Sequence, residues 1–502
     1  MKHLRGMILH PFLLGVYIVL GLLIPNFDQV ELAVIIRPLA VILGAALILL
    51  LLLRIVIHDW LGASLVVTLF SVLFFSYGHI YAVLKSVNIS GMLLFRHRTL
   101  LSLWFVIFTV GLILLLRSRS LATLNYYLNW VTALLVGITG FQIILLAYQA
   151  NRNVTLDTLP TQGSSQASLV TPDIYYIILD GYGRQDVLHD VMHYDNSGFI
   201  DELEGLGFHV AQCSQSNYAQ TQMSLASSLN FDYLDTLRAE GDQDATEKAN
   251  TGDLIKHSRL RQFLEARGYV TVAFATGFNF TQITDADLYL APQPGRQLNE
   301  FEYLLLKTTI ARVILDYQLG KVEDSTAELF RQRTRFTIDK LDTLYQDPRP
   351  KFVFAHIVIP HPPFVFGPSG ESVERAFTRD DEFSPEEYIA GYTGQVTYVN
   401  HEMIGVLEQI VKETNGSAII ILQGDHGPGR LTDEARMAIL NAYFFPDTGK
   451  AELYETITPV NSFRVILNAY FDQDLPLLED VSRFSKYNLP YTYTIIENTC
   501  GN

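Results

Sequence analysis

The first 150 residues carry long apolar runs, whereas the rest of the chain alternates short apolar runs with mixed segments. A bilayer core needs roughly 17–25 consecutive apolar residues per helix. Five runs meet that length, at about 7–25, 32–53, 61–84, 100–116 and 128–148. The pattern therefore predicts a transmembrane domain of about five helices over residues 1–149.

The basic leader before the first run is followed by no small-residue cleavage site, which indicates a retained anchor. Counting basic residues in the loops predicts a cytoplasmic N-terminus, with Lys2, Arg5, Arg54, Arg117 and Arg119 inside. Five crossings then place the remainder of the chain outside the cytoplasm. The sequence thus predicts a multi-pass membrane protein with an extracytoplasmic domain.

Two ionisable residues fall within or near the ends of these spans. Arg37 lies inside the second span and His79 near the end of the third. Such groups are functional candidates because burying a charge in lipid costs at least ~2.5 kcal/mol. The simpler interpretation has Arg37 snorkelling or pairing across the bundle and His79 at the interface.

Residues 150–172 are polar, rich in Gly, Ser, Thr and Pro, and predict a linker. Beyond them, over 173–502, short β-branched and aromatic runs alternate with helical patterns. Runs of this kind separated by helices predict an α/β domain with a mostly parallel sheet flanked by helices. The predicted strands lie at 173–180, 268–275, 351–359, 417–423 and about 441–446.

The segment 298–345 is long and helical in pattern. It predicts an inserted helical pair, which either packs on the α/β domain or rests on the membrane surface. Packing on the core of the α/β domain is the favoured alternative.

The charge is divided unevenly along the chain. Residues 1–150 hold nine Lys and Arg against three Asp and Glu, and the rest holds 27 against 49. A net charge of −22 on the second part argues against a nucleic-acid partner. The two cysteines, Cys213 and Cys500, exclude a disulfide scaffold and a CxxC zinc ribbon, and the sequence leaves their pairing open.

Ionisable side chains follow three of the predicted strands. Asp180 comes after the first, His361 after the 351–359 strand, and Asp425 with His426 after the 417–423 strand. Ligands of such sheets bind beyond the carboxyl ends of the strands. Carboxylates with one imidazole suit Mn²⁺, Mg²⁺ or Zn²⁺, so Asp180, Asp425 and His426 predict a divalent-metal site.

A hydroxyl-rich segment, 216–230, opens a helical pattern at Thr221. A hydroxyl at a helix N-terminus beside a metal can become a nucleophile. From spacing alone, an N-cap role for Thr221 is an equal alternative.

The runs "PDIYYIILDGYG", "YAQTQMSLASSL", "HIVIPHPPF" and "LQGDHGPG" occur in an order that resembles the alkaline phosphatase superfamily. They look most like its sulfatase-like branch, which includes membrane-anchored lipoteichoic acid synthases and phosphoethanolamine transferases. The resemblance covers roughly residues 172–470. It implies that Asp180, Thr221, Asp425 and His426 bind the metal, and that Thr221 is the nucleophile. His361 would contact the substrate phosphate or protonate the leaving group.

The same resemblance implies a phosphotransferase that moves a glycerol phosphate or phosphoethanolamine head group from a lipid donor to a glycan or lipid acceptor, through a phospho-Thr intermediate. Asn217 and Arg430 are further predicted substrate contacts, and Mn²⁺ or Zn²⁺ is the expected metal, with Mg²⁺ or Ca²⁺ as alternatives. Because the Thr221 segment lacks the C/S-x-P-x-R motif of sulfatases, sulfate-ester hydrolysis is disfavoured.

Three alternatives stay open at this stage. The same site with water as acceptor would give a phosphodiesterase or phosphatase. A scaffold with a decayed site is a second alternative. A nucleotide-binding module is the third, although the third glycine of a G-x-G-x-x-G motif is replaced by Asp186 and no Walker motif exists.

Overall fold

The computed structural model describes residues 7–27, 30, 32–84, 88–89, 92–93, 96–118, 120–150, 171–237, 251–292, 298–317, 321–373, 383–446 and 452–500. The predictions for Lys2, Arg5, Arg119 and most of the 150–172 linker lie outside these residues. The chain divides into two compact units. The first comprises 1–148 with 296–326, and the second comprises 149–295 with 327–502.

The first unit is helical. Each predicted apolar run forms a helix, and four of the helices are long and apolar enough to cross a membrane, while His10–Asn26 is shorter. Many of their large aliphatic and aromatic side chains are exposed, as lipid-facing surfaces require. The elements are α1 (His10–Leu23), α2 (Ile36–Ile57), α3 (Trp60–Leu84), α4 (His97–Arg117), α5 (Leu121–Ala150), the short strands β1 (Asn88–Ile89) and β2 (Met92–Leu93), and 3-10 turns at Ile24–Asn26 and Leu32–Ile35.

The inserted segment corrects one prediction. Its first two helices, α12 (Glu300–Lys307) and α13 (Arg312–Tyr317), belong to the first unit, so core packing in the catalytic domain is wrong for them. The backbone N–H of Gly78 in α3 donates to Thr308 O at 2.9 Å. A Cβ on Gly78 would lie 2.0 Å from the Lys307 carbonyl oxygen, so only glycine permits this approach.

Two ionisable side chains of the membrane helices, Arg37 and His97, are paired with the insert. The Arg37 guanidinium donates to the Glu302 carboxylate, so the pairing expected for Arg37 is made, with a partner in α12. His97 at the start of α4 places Nε2 2.9 Å from Asp316 of α13. These contacts place α12 and α13 at the end of the bundle where α2 and α4 begin.

The second unit contains a seven-stranded sheet in the order β4-β9-β8-β3-β7-β5-β6. β3, β5, β6, β7 and β8 run parallel, while β9 is antiparallel to both of its neighbours. The predicted α/β domain with a mostly parallel sheet is therefore confirmed. The strands are β3 (Ile174–Leu179), β4 (His209–Val210), β5 (Val270–Phe274), β6 (Leu288–Leu290), β7 (Lys351–Ile357), β8 (Ile419–Gly424) and β9 (Asn441–Phe444).

Helices cover both faces of this sheet, so its central strands are buried on both sides. All six residues of β3 are buried, and they alternate between two separate apolar clusters. Burial on both faces explains why the strand is an unbroken apolar run. The helices are α6 (Gln185–Asp190), α7 (Ser197–Gly205), α8 (Thr221–Asn230), α9 (Leu234–Leu237), α10 (Thr251–Lys256), α11 (Arg259–Glu265), α14 (Lys321–Leu341, which begins in the first unit), α15 (Pro385–Glu413), α16 (Asp433–Met437) and α17 (Pro459–Phe471), with 3-10 turns at Asn279–Thr281 and Leu344–Gln346.

The C-terminal segment adds a two-stranded hairpin, β10 (Ser482–Phe484) and β11 (Thr494–Ile496). A disulfide joins Cys213 to Cys500, across 287 positions of sequence. The pairing that the sequence left open is therefore made, and it attaches the end of the chain to the loop after β4.

We expect Cys500→Ser to lower the thermal unfolding midpoint of the catalytic unit by about 5–10 °C, because an open chain end has more conformational freedom when unfolded. Differential scanning fluorimetry of the purified chain would measure this. Dithiothreitol should lower the unfolding midpoint of the parent protein to that of the variant, and it should leave the midpoint of the Cys213→Ser/Cys500→Ser protein unchanged. An equal effect of the reductant on both proteins would contradict the prediction.

Candidate active site at the carboxyl edge of the sheet

Sheet register brings two predicted ligands side by side. β3 and β8 are adjacent and parallel, and Leu179 is paired with Gly424. Asp180 and Asp425 are therefore the next residues along two neighbouring strands. Both are buried, and the N–H of Gly181 donates to Asp425 Oδ1 at 2.9 Å. The carboxylates thus meet at the carboxyl edge, as the sequence predicts.

Glycines make this edge sterically possible. Gly181 has a φ of 75°, in the left-handed region that side chains rarely adopt. A Cβ on Gly427 would lie 2.2 Å from the carbonyl oxygen of Ala435. The glycines after Asp180 and His426 therefore let the chain turn directly beside the carboxylates.

The His426 imidazole has a defined orientation. Its Nδ1 lies 2.9 Å from the Gly427 carbonyl oxygen, which accepts the Nδ1 proton. Nε2 therefore carries the lone pair and accepts a hydrogen bond from Arg436 Nη2 at 3.0 Å. Nε2 lies 3.5 Å from Asp180 Oδ1 and 3.4 Å from Asp425 Oδ2. The imidazole therefore presents a ligand atom to both carboxylates.

These residues fit a divalent cation. Asp180 Oδ1 and Asp425 Oδ2 are buried and have no hydrogen-bond partner among the described residues. Buried carboxylate oxygens without partners are costly unless something compensates their charge. Asp180, Asp425 and His426 each offer a ligand atom, and these atoms lie within 4.8 Å of one another. Hard oxygens with one imidazole suit Mn²⁺, Zn²⁺ or Mg²⁺.

Electrostatics favour a cation in the same place. Burial alone would raise the pKa of Asp180, but His361, His356 and His426 outweigh it and hold that pKa well below its ordinary value. Burial and, secondly, the neighbouring Arg436 lower the pKa of His426 to about 4. At neutral pH the site therefore holds ionised Asp180 and a neutral imidazole, the protonation states that a metal needs.

Thr221 joins this cluster from a different element. It is the first residue of α8, and its Oγ1 lies 3.2 Å from His426 Nε2. α8 is otherwise buried through its remaining nine residues, which holds its N-terminus in place. The hydroxyl therefore lies at the positive end of a buried helix, beside the predicted ligands.

Two further histidines contact Asp180. His356 of β7 places Nε2 3.2 Å from Asp180 Oδ2, and its Nδ1 lies 3.3 Å from the Thr281 hydroxyl. His356 is buried, and its contact orients the carboxylate. The backbone N–H of His361 donates to the backbone carbonyl of Asp180 at 2.9 Å, and the His361 side chain lines the adjoining cavity.

A cavity of about 370 Å³ opens beside these residues. Arg430 lines it, as expected for a substrate contact. Asn217 does not: its amide nitrogen lies within hydrogen-bonding distance of Tyr233, Thr458 and Val481, and its oxygen accepts from Val460 N. These contacts give Asn217 a structural role in place of the predicted substrate contact.

Sequence reasoning missed several residues of this cavity. Lys486 and Tyr487 enter it from just beyond β10, and Arg436 enters from α16. No short-range pattern marks them, because only the tertiary fold brings the C-terminal hairpin beside Gln220, whose amide contacts Ser485 and Lys486.

Arg436 is the missed residue nearest to the predicted chemistry. Its guanidinium donates to the carbonyls of Ala219 and Gly427, and its Nη2 lies 3.0 Å from His426 Nε2. A planar guanidinium beside the site is suited to bind two oxygens of a phosphate at once.

We expect Arg436→Lys to lower kcat/KM by about 10–150-fold, the equivalent of about 1.5–3 kcal/mol for a hydrogen bond to a charged group. Steady-state kinetics on a phosphodiester substrate would measure it. Metal affinity, measured by calorimetry, should change by less than about threefold. A parallel loss of metal affinity would place Arg436 with the ligands instead.

Comparison with solved structures finds similar folds at low identity. The C-terminal periplasmic domain of EcEptC from Escherichia coli is 12% identical, with a TM-score of 0.43, and the match covers 69% of this chain and 97% of that one. The C-terminal periplasmic domain of the phosphoethanolamine transferase EptC from Campylobacter jejuni is 12% identical, with a TM-score of 0.38, covering 62% and 92%. A 2-O GAG sulfatase is 12% identical, with a TM-score of 0.38, covering 61% and 72%.

A search of curated proteins finds no match. The family profile described as Sulfatase matches residues 172–463, more than half of the chain. This range contains every residue of the cluster around Asp180 and Asp425. The chain therefore belongs to the sulfatase family, within the alkaline phosphatase-like superfamily.

Proposed function

We propose that this protein is a membrane-bound, metal-dependent phosphotransferase. The observation that carries the proposal is a convergence at one edge of the sheet. The Thr221 hydroxyl and His426 Nε2 meet two buried carboxylate oxygens that have no hydrogen-bond partner among the described residues. A hydroxyl beside buried carboxylates and a neutral imidazole can act as a nucleophile once it is activated. Membership of the sulfatase family is consistent with ester chemistry at this edge.

Asp180, Asp425, His426 and Thr221 would hold the divalent cation, with Mn²⁺ or Zn²⁺ as the preferred ions. When bound, the cation would lower the pKa of the Thr221 hydroxyl and offset the negative charge of a phosphate. Protons would not compete at His426 until the pH falls towards 4, since its pKa is already lowered to about that value.

Thr221 Oγ1, having lost its proton to solvent, attacks the phosphorus of a phosphodiester. The new Oγ1–P bond forms as the bond from phosphorus to the leaving oxygen breaks. His361, whose side chain lines the cavity, donates a proton to the leaving oxygen. Arg436 and Arg430 orient the phosphate from the cavity wall. The hydroxyl of an acceptor then attacks the phosphorus and gives its proton to His361. The Oγ1–P bond breaks as the new bond forms, and Thr221 Oγ1 regains a proton from solvent, which restores the enzyme.

The membrane helices support a lipid as donor. Four helices long enough to span a bilayer precede the catalytic unit, and a phospholipid head group supplies a phosphodiester at the membrane surface. We propose a glycerol phosphate or phosphoethanolamine type of group, with a glycan or lipid hydroxyl as acceptor. The 12% identical phosphoethanolamine transferase domain is named for that second group.

We place the catalytic unit outside the cytoplasm. The disulfide between Cys213 and Cys500 supports this placement, since such bonds persist in oxidising compartments. The distribution of basic residues supports it as well, because Arg54 and Arg117 stand at the predicted cytoplasmic ends of their helices.

The proposal is tested by trapping the intermediate. The detergent-purified chain is incubated with Mn²⁺ or Zn²⁺ and mixed phospholipids, and peptides covering 211–237 are examined by mass spectrometry. We expect a phospho-group adduct on Thr221, absent from Thr221→Ala, whose mass identifies the head group. An adduct of equal yield on the Thr221→Ala protein would overturn the covalent mechanism.

The acceptor is tested separately, by supplying the trapped protein with either a glycan or water alone. Release of the group onto the glycan supports the transferase. Release only as free phosphoester would replace it with the phosphodiesterase that uses the same residues.

A further inference from the structure

The first unit contains a cavity of about 500 Å³ among α1, α2, α3 and α12. Its volume falls within the range of about 300–1,000 Å³ typical of sites for small ligands. Its lining side chains among the described residues are apolar except for the Arg37–Glu302 pair and the hydroxyls of Ser71 and Thr309. The lining is therefore almost entirely hydrocarbon, and its only charged side chains among the described residues are Arg37 and Glu302.

The depth of the cavity matches one leaflet of a bilayer. Arg37, Val41, Ala45 and Leu49 all line it, and their spacing of four places them along one face of α2. At 1.5 Å per residue, the twelve steps from Arg37 to Leu49 span about 18 Å. Half of a hydrocarbon core is about 15 Å thick. Arg37 lies in the first turn of α2, five residues after the start of the apolar span Leu32–Ile57. The charged end of the cavity therefore lies near one end of the span, and the apolar part runs inward.

The ion pair presents its cation to this space. Both Glu302 oxygens accept from Arg37, and Glu302 Oε2 also accepts from the Asn299 N–H, so the carboxylate is largely enclosed. The Glu302 side chain is 7% exposed, whereas that of Arg37 is 51% exposed. The guanidinium is therefore the charged surface that a ligand meets at the mouth of the cavity.

Neither water nor empty space suits such a cavity. Water needs polar partners that the wall does not offer beyond its charged end. An empty space would forfeit dispersion contacts along the whole lining. Hydrocarbon from the surrounding bilayer satisfies the wall, and the Arg37 guanidinium offers a cation to a phosphate at its charged end.

We propose that this cavity binds one glycerophospholipid, with an acyl chain along the Val41–Ala45–Leu49 face and its phosphate against Arg37. The site is a lipid-binding site of the membrane unit. It is independent of the chemistry at Thr221, so either proposal can fail without the other.

The test uses the full chain carrying Thr221→Ala, reconstituted in nanodiscs that contain a phosphatidylglycerol probe with a photoactivatable diazirine on its acyl chain. After irradiation, labelled peptides are mapped by mass spectrometry. We expect labelling concentrated on the 38–49 and 70–75 segments. Labelling spread evenly over the exposed faces of α4 and α5 would overturn the proposal.

A matched pair of variants tests occupancy. Ala45→Trp fills the cavity and should reduce labelling of these segments at least about fivefold. Ala40→Trp makes the same change on the same helix, at an exposed residue outside the cavity lining, and should leave labelling unchanged. Equal labelling of the two variants, with equal unfolding midpoints, would contradict an occupied cavity.

A second comparison tests the phosphate contact. The Arg37→Gln/Glu302→Gln protein keeps a hydrogen-bonded pair without either charge, so that no buried carboxylate is left alone. Labelling of this protein by the phospholipid probe should fall about tenfold, and its labelling by a diacylglycerol probe with the same chains should stay unchanged. Equal losses for the two probes would contradict a phosphate at Arg37.

Discussion

Replacing Thr221 by alanine is expected to reduce turnover of a phosphodiester substrate by about 10⁴-fold or more, the scale of loss seen when a catalytic nucleophile is removed. The physical reason is that Thr221 Oγ1 is the hydroxyl at 3.2 Å from His426 Nε2 and at the start of α8. The measurement is kcat under saturating metal. Turnover in this variant equal to that of the parent protein would contradict the proposed mechanism.

Thr221→Ser is the matched control for that experiment. It keeps a hydroxyl at the same helix terminus and removes only a methyl group, so it should retain far more activity than alanine. Both variants should unfold at temperatures close to that of the parent protein, because Thr221 is only partly buried. If serine and alanine were equally inactive, loss of the hydroxyl would not explain the result.

The second large effect is expected at the metal ligands. Asp425→Asn should weaken metal binding by at least about 100-fold, since changes even to the partners of metal ligands cost 10–100-fold. Asparagine keeps an Oδ1 that accepts from the Gly181 N–H, the contact that Asp425 makes at 2.9 Å. It replaces Oδ2, the buried oxygen without a described partner, by an uncharged amide.

Isothermal titration with Mn²⁺ and Zn²⁺ would measure this effect. Glu434→Gln, the same type of change at an exposed position of α16, is the control and should bind metal as the parent does. Because the change relieves an uncompensated carboxylate, the metal-free Asp425→Asn protein should be no less stable than the metal-free parent. Unchanged metal affinity would remove Asp425 from the ligand set.

Much of the site follows from local sequence. Asp180 and Asp425 could be placed together because each directly follows a buried apolar run, and the carboxyl ends of parallel strands share one edge. His426 needed no further information, since it is the next residue. The five strands behind these predictions are all present, because β-branched and aromatic runs of this length have few alternatives in a sheet buried on both faces.

Residues whose role depends on distant neighbours could not be placed in this way. Asn217 lies four positions before Thr221, yet its amide is taken up by the C-terminal part of the unit, at Thr458, Val460 and Val481. Lys486 lies more than two hundred positions beyond Thr221 and still lines the cavity beside the candidate site. Hydrogen bonds across such separations leave no periodic signal in the chain.

The insert illustrates the same limit. Its apolar pattern predicts helices correctly, but α12 and α13 have two apolar surfaces available to them, one in each unit. Backbone contacts from Ile310 to Phe74 and from Gly78 to Thr308 join them to the membrane helices, and the Arg37–Glu302 pair adds to this. A helix's apolar stripe shows that it must pack, and gives no information on its partner.

By itself, then, the sequence determined the apolar helices of the first unit, the mostly parallel sheet, and the closeness of Asp180, Asp425 and His426, because each depends on period, length or immediate succession along the chain. The tertiary structure alone decided the pairing of Cys213 with Cys500, the place of Arg436 in the site, and the membrane-unit cavity. Those features depend on contacts between residues far apart in sequence, whose free energy exists only once the intervening chain has folded.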